Sequence, residues 1–423
     1  DAQESRGLGD VYKRQILSII SVMPEVRTVA SASQDISQPP DNGFEEELYA
    51  AAAVLIDASN NRILYEHNAK KAYPMASTTK IMTLVIALEY GNPDDIVTFS
   101  PYAAAQPDVQ LNAAAGEQYR LKDLLYIMML RSYNDVAVAV AEHIGEAHGG
   151  GGTKDADAIT VRKKEESRLY VSNFAHLMNE KAGELGCTDT YFITPNGLDA
   201  EDDNGVHSAS AYDMAVIASY ALHNTDVTDI CTARKYNCNE LNGRRNVSIT
   251  TANAFLSMMD GAIGMKTGFT GKAGYCFVGA VRQDGRTFVT VVLGCGWPPH
   301  KTYKWSDTRK LMSYGINNFF PQKILVPDPD FGKICVMGGV SDECGTEITD
   351  SLEMLVSSAE NIDISYEMPK YVEAPVHKGD VAGYVHIKIN DQNQISYPIK
   401  IKDDIEEVDY LWFLNKIIDD YTL

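Results

Sequence analysis

The feature that most constrains this chain is the order of three short strings: Ser77-Thr78-Thr79-Lys80, then Ser132-Tyr133-Asn134, then Lys266-Thr267-Gly268. A Ser-x-x-Lys string alone carries little weight, since a chain of this length holds roughly one by chance. All three in this order call for a fold that gathers a helix start, an inter-helix turn and a strand at one place. Together they supply a serine, two lysines, a second hydroxyl and an amide, the groups that an acyl-transfer site uses.

Each string has a local setting that fits. Pro74-Met75-Ala76 is a non-helical lead-in, and TKIMTLVIALEY over residues 79–90 predicts an apolar helix ending at Gly91-Asn92-Pro93. Ser77 then lies at a helix N-terminus, where unpaired N–H groups and the helix dipole favour developing negative charge. Lys80, three residues on, shares its helix face. A serine hydroxyl needs a neighbouring base. Lysine serves as one only when neutral, and its free pKa is about 10.4. Burial, with Lys266 as a nearby like charge, is expected to lower that value.

LKDLLYIMML over 121–130 and NDVAVAVAE over 134–142 predict two helices, with Ser132 and Asn134 in the turn between them. A hydroxyl there can relay a proton, and an amide can hold a substrate backbone by donor and acceptor. GAIGMK over 261–266 predicts a strand that ends in the third string. Further strands follow over 271–280 and 286–294, joined by tight turns such as Gln283-Asp284-Gly285. A strand edge can take an extended peptide by strand addition. Gly268 lets that backbone come close, and Lys266 offers positive charge to a carboxylate. Singly, each string has a plainer account as a helix cap, a turn or an exposed strand end; their co-occurrence sets those accounts aside.

These residues resemble the serine D-alanyl-D-alanine carboxypeptidases, the low-molecular-weight penicillin-binding proteins that trim peptidoglycan stem peptides. The resemblance extends to LYEHNAKKAYPMASTTK over 64–80, YFITPNGL over 191–198, HSASAYD over 207–213 and APVHKGD over 374–380, and so covers roughly 46–408. It implies Ser77 as the acylated nucleophile, Lys80 as its proton acceptor, Ser132 as proton relay and Asn134 as a substrate-binding amide. Lys266 and Thr267 would hold the terminal carboxylate. The backbone N–H groups of Ser77 and of Phe269, after Gly268, would form the oxyanion hole, where one donor is typically worth about 10²–10³ in rate. Lys304 is the nearest match to a basic residue that helps bind the carboxylate in the family. β-Lactam antibiotics would acylate the same serine. Two departures stand out: Tyr133 replaces a common glycine, and an extra segment starting with Gly149–Gly152 fills the stretch between His148 and Tyr170. That segment reads as a surface loop or flap, either shaping access to the site or simply an insertion tolerated by the fold.

The expected fold class is α/β (α+β): a two-layer β-lactamase/transpeptidase-like domain over 46–320, helices packed on an antiparallel sheet. A small all-β domain follows over 321–408, signalled by alternating runs such as 323–326, 333–337 and 383–389. Residues 1–45 read as a leader and linker. Ile16–Val22 is apolar and Ala30-Ser31-Ala32 suits cleavage, although Glu25 and Arg27 interrupt the pattern and 1–15 resemble a foreign extension. The tail 409–423 reads as an amphipathic helix, either packed or lying on a membrane, with acidic flanks that anionic lipid would repel. Net charge is 37 − 58 = −21, which argues against nucleic acid as a partner and suits an extracytoplasmic bacterial protein. The seven cysteines include no Cys-x-x-Cys pair, so neither a zinc site nor any cofactor is expected. Cys276 and Cys295 read as buried; Cys335 and Cys344 flank a hairpin and are placed to bridge or not. Other readings of the same site are a D,D-endopeptidase, a β-lactamase or an inactive peptidoglycan-binding scaffold. The β-lactamase reading lacks its Glu-x-x-Leu-Asn segment; Asn239-Glu240-Leu241-Asn242 has the wrong spacing.

Overall fold

The computed structural model describes residues 44, 46–149, 156–390 and 392–421. The leader expected over 1–45 and the glycines after Gly149 lie outside the described residues, Phe44 excepted. Five antiparallel strands form the main sheet: β1 (Ala52–Asp57), β2 (Arg62–His67), β3 (Lys266–Thr270), β4 (Gly274–Gln283) and β5 (Arg286–Leu293). Their spatial order is β3-β4-β5-β1-β2, so β3 is an edge strand. The helices that matter here are α1 (Lys80–Tyr90), α2 (Leu121–Arg131), α3 (Asn134–His148), α4 (Ala156–Thr160), α5 (Lys164–Glu184), α6 (Ala211–Ala221) and α7 (Tyr303–Asn318).

Strand β1, AAVLID, is buried at every position. A strand apolar without alternation needs cover on both faces, and it has it. Val54, Ile56, Val278 and Val291 face Ile81 and Leu84 of α1 and Ile217 of α6. Leu55, Phe277, Phe288 and Val292 face Leu311 and Met312 of α7. The two-layer expectation therefore gains a third layer. Full burial of each such side chain contributes about 1.5–3 kcal/mol.

The strand carrying the third string begins at Lys266 instead of ending there. Gly261, Gly264 and Met265 have φ of 73°, 93° and 71°. Such left-handed backbone interrupts an extended ladder, so the regular ladder starts at Lys266↔Val278, and before it stands only an isolated bridge, Ala262↔Val281.

The extra segment is not merely a loop. Its described part forms α4, and Arg162 beyond it is buried. The guanidinium lies 2.5 Å from Glu146 and 3.9 Å from Glu142, both on α3, and stacks over Tyr170 of α5. Thr160 packs where a Cβ on Gly116 would come within 2.9 Å. The segment from 164 onward simply belongs to α5.

Helix α7 runs directly into an all-β region: β6 (Phe319–Leu325), β7 (Asp328–Met337), β8 (Glu343–Ile348), β9 (Leu352–Ser357), β10 (Ile362–Glu367), β11 (Tyr371–Glu373), β12 (Val381–Ile389) and β13 (Gln392–Ile401). Six of these form a sheet in the order β10-β12-β13-β8-β7-β11, and β6 pairs with β9. Ile324, Val356, Val385, Ile387 and Ile399 pack between the two sheets. Arg62 of β2 bonds the Leu355 carbonyl and pairs with Glu360, tying this region to the main sheet. Cys335 pairs with Glu343, and Cys344 with Ile334. That one-residue offset sends the two thiols to opposite faces, and both are free.

Candidate active site

Residues Ala76–Thr79 form a 3₁₀ turn that leads into α1. The Thr78 hydroxyl donates to the Met75 carbonyl at 2.6 Å, and the Thr79 hydroxyl to that of Ala76 at 2.9 Å. These bonds pin the turn. Ser77 sits in its first half, where backbone N–H groups have no intrahelical acceptor. Ala76 before it has φ 51°, Ser132 has 67° and Met265, before Lys266, has 71°. Left-handed backbone at non-glycine residues costs of order 1–3 kcal/mol each; here it falls at or just before each of the three strings.

Lys80 is fully buried. Its Nζ lies 2.9 Å from Ser77 Oγ, 2.9 Å from Asn134 Oδ1 and 2.5 Å from the Asn196 carbonyl oxygen. Three oxygen acceptors match the three N–H groups of an ammonium. When one proton leaves, the two carbonyl-type oxygens still need N–H donors, because neither can give a hydrogen. The lone pair then faces Ser77, whose hydroxyl donates to Nζ. Burial first, and the charge of Lys266 second, hold the Lys80 pKa well below that of a free lysine, against a smaller opposing pull from Asp135.

Asn134 opens α3, two residues after Ser132 caps α2. Its Nδ2 donates to the Pro107 and Asp108 carbonyls at 3.1 and 3.0 Å. With Oδ1 on Lys80, this buried amide has all its groups engaged and holds the lysine in place. Asp135 next to it accepts from the backbone N–H groups of Leu111 and Val136, both at 2.9 Å, fixing the facing loop. The half-buried Ser132 hydroxyl has no partner among the described residues.

Strand β3 runs along the turn that carries Ser77. A Cβ on Gly268 would lie 3.0 Å from Ser77 N and 3.0 Å from the Ala76 Cβ, so a side chain there would push the strand and the turn apart by a few tenths of an ångström. Lys266 is buried, donates to the Thr267 carbonyl at 2.8 Å, and burial lowers its pKa to about 7. Thr267 is half-buried opposite Phe277. Phe269 is 44% exposed and its ring meets Tyr275 at 4.6 Å. Lys304 lies beyond Tyr275: its Nζ donates to the Lys301 carbonyl at 2.7 Å and sits over the Tyr275 and Trp305 rings. It is set apart from the hydrogen-bonded group of Ser77, Lys80 and Asn134.

Two contributors carry no motif of their own. Gly197 has φ 83°, and a Cβ on it would lie 1.9 Å from the Ala76 carbonyl oxygen. This close approach brings the Asn196 carbonyl onto Lys80. His207 is buried; its Nδ1 accepts from Ile193 N–H at 2.9 Å, so the proton sits on Nε2, 3.0 Å from Thr79 Oγ1. Burial, then the Lys80 charge, lowers its pKa to about 4, so it stays a neutral brace between the Asn196 loop and the turn. Both residues lie in the blocks 191–198 and 207–213, whose family pattern was the available signal. Glu240, the nearest candidate for a deacylating acid, is spent on backbone N–H groups of Gln118, Asn242 and Arg244. Among the described residues no group of three or more His, Cys, Asp or Glu is placed to hold a metal ion.

Comparison with known proteins agrees with this geometry. The D-alanyl-D-alanine carboxypeptidase family profile matches residues 34–153 and 170–296, leaving out 154–169 within the extra segment, and the penicillin-binding protein 5 C-terminal domain matches 322–407. The Bacillus subtilis D-alanyl-D-alanine carboxypeptidase DacF is 26% identical, over 93% of this chain and 94% of its own. A D-alanyl-D-alanine carboxypeptidase of Streptomyces sp. strain K15 is 30% identical, over 60% of this chain and 82% of its own. Penicillin-binding protein 5 from Haemophilus influenzae superposes with TM-score 0.66 at 26% identity, over 86% of this chain and 99% of its own. The strings, the sheet with its β-rich appendage and these likenesses converge: the chain belongs to the D-alanyl-D-alanine carboxypeptidase family, the low-molecular-weight penicillin-binding proteins.

Proposed function

We propose that this chain removes the terminal D-alanine from peptidoglycan stem pentapeptides through an acyl-enzyme on Ser77. The observation that carries the reading is the 2.9 Å contact between Ser77 Oγ and a Lys80 Nζ sealed from water. Neutral Lys80 takes the hydroxyl proton as Oγ attacks the carbonyl between the last two D-alanines. Charge growing on the carbonyl oxygen meets the backbone N–H groups of Ser77 and Phe269. Ser132, with its hydroxyl unpaired, relays the proton that Lys80 took on to the departing amine, which leaves Lys80 neutral again. Lys266 and Thr267 hold the terminal carboxylate, and binding that anion raises the Lys266 pKa and keeps the lysine charged. Water then attacks the acyl-enzyme with Lys80 again as base. Asn134 acts by positioning Lys80, since its amide has no group to spare for substrate in this arrangement.

Penicillins fit the same path, because their amide carbonyl and carboxylate present the same two features. The reading also places the chain outside the cytoplasm, where its polymer lies. The C-terminal helix α8 (Tyr410–Tyr421) leaves Leu411, Phe413 and Ile417 more than half exposed, which supports lying on a membrane surface of low negative charge. No helix among the described residues is long and apolar enough to cross one.

The test is mass spectrometry of a pentapeptide ending in D-Ala-D-Ala, incubated with the full chain and with Ser77→Ala. Free D-alanine and tetrapeptide from the first alone support the reading. No release from either favours the scaffold, and fast hydrolysis of a chromogenic cephalosporin favours the β-lactamase.

A further inference from the structure

Lys266, Gly268 and Thr270 occupy alternate positions of edge strand β3, so they share one face of the sheet. It is the face toward α1, since their strand partners Val278 and Cys276 pack in that core. Gly268 lies against Ser77. Thr270 lies two residues further, about 7 Å along the strand, as Lys266 does in the other direction. The Thr270 hydroxyl accepts from Ala273 N–H at 3.0 Å, which leaves its own proton for Asp199 Oδ1 at 2.9 Å. Asp199 is exposed, and among the described residues its carboxylate makes no other hydrogen bond. It follows directly after the Asn196–Leu198 loop that feeds Lys80.

The cleft is therefore polarised. An ammonium stands at one end of β3, the nucleophile at the middle and a held carboxylate at the other end. A peptide laid along the β3 edge, with its terminal carboxylate at Lys266 and its scissile carbonyl at Ser77, must send its acyl side past Thr270 and Asp199. We propose that Asp199, positioned by Thr270, is a specificity-determining residue that binds a free side-chain ammonium on the residue preceding D-Ala-D-Ala. The preferred substrate is then a stem peptide whose third residue is a diamino acid with an unblocked terminal amine. This rests on the reading of Ser77 and Lys266 given under the proposed function.

The experiment compares two tripeptides, Nα-acetyl-L-Lys-D-Ala-D-Ala with its side-chain amine free and the same peptide with that amine acetylated. The quantity read is the ratio of their kcat/KM values for the full chain, Asp199→Asn and Thr270→Val, with penicillin labelling as the check that each protein is folded. The expected ratio is about tenfold in favour of the free amine for the natural chain, falling with added salt. It drops toward one in Asp199→Asn and part of the way in Thr270→Val. A ratio near one in the natural chain, or a ratio unchanged by Asp199→Asn, overturns the inference while leaving the carboxypeptidase reading intact. No turnover of either peptide together with no penicillin labelling removes both.

Discussion

Helix α3 touches two buried clusters of charge, and they obey opposite rules. Near its C-terminal end, Arg162 sits between Glu142 and Glu146, opposite charges in contact and braced by Ser100, whose hydroxyl donates to Glu142 at 2.9 Å. At its N-terminal end, Asn134 holds Lys80, and the charge nearest that lysine in effect is another lysine, Lys266. The first cluster offsets its desolvation by pairing. The second cannot, so Lys80, buried beside that like charge, gives up its proton instead. A buried ion pair ties an added segment to the fold; a buried lysine beside a like charge loses its proton more readily than a free lysine does.

Ser77→Ala removes the hydroxyl proposed to form the acyl-enzyme. D-alanine release should fall by at least ~10⁴-fold, and labelled penicillin should no longer attach covalently, as seen by intact-mass measurement. Arg162→Met takes the buried guanidinium away from Glu142 and Glu146 and should cost about 3–5 kcal/mol in denaturant unfolding. Because burial already raises the Glu142 pKa, the loss should shrink as pH falls and the carboxyls take up protons. Penicillin acylation per folded molecule should stay within about twofold. Gly268→Ala forces β3 away from Ser77 N and should slow acylation about 10²-fold with little change in unfolding, since a misplaced nucleophile loses rate long before stability.

Lys266→Met tests the cost of the unpaired cluster. With a folded pKa near 7 and an unfolded one near 10.4, the folded protein binds fewer protons than the unfolded chain between those values. Stability from this site is therefore lost as pH drops from about 10.4 to 7 and stays lost below. The variant should be inactive yet melt about 3–6 °C higher at pH 7, with the gain fading toward pH 10. A lower melting temperature at pH 7 would mean that the lysine is paired after all.

Much of this was legible in the sequence because side chains announce it. The helix over 80–90, the turn between α2 and α3 and the alternating runs of the C-terminal domain follow from periodicity and breakers. Other parts depend on tertiary contacts that no local pattern encodes. The reach of β3 beyond Lys266 hinged on Met265 adopting a left-handed backbone, which is rare outside glycine, asparagine and aspartate. The Asn196 acceptor is a backbone carbonyl, which every residue has. Arg162 reads as one more surface cation until its two glutamates, distant in sequence, are brought to it. Asn134 was legible as an amide near the site, but not as one already spent on Lys80 and the facing loop.

The account depends most on the charge state of Lys80. A direct measurement is a ¹³C NMR titration of lysine-labelled Ser77→Ala protein, with the Lys80 signal assigned by its loss in Lys80→Met. The account predicts one lysine resonance that titrates well below its solvent-exposed neighbours, moving upward when Lys266 is also replaced by Met. A Lys80 midpoint near 10.4, unmoved by that second change, would contradict it.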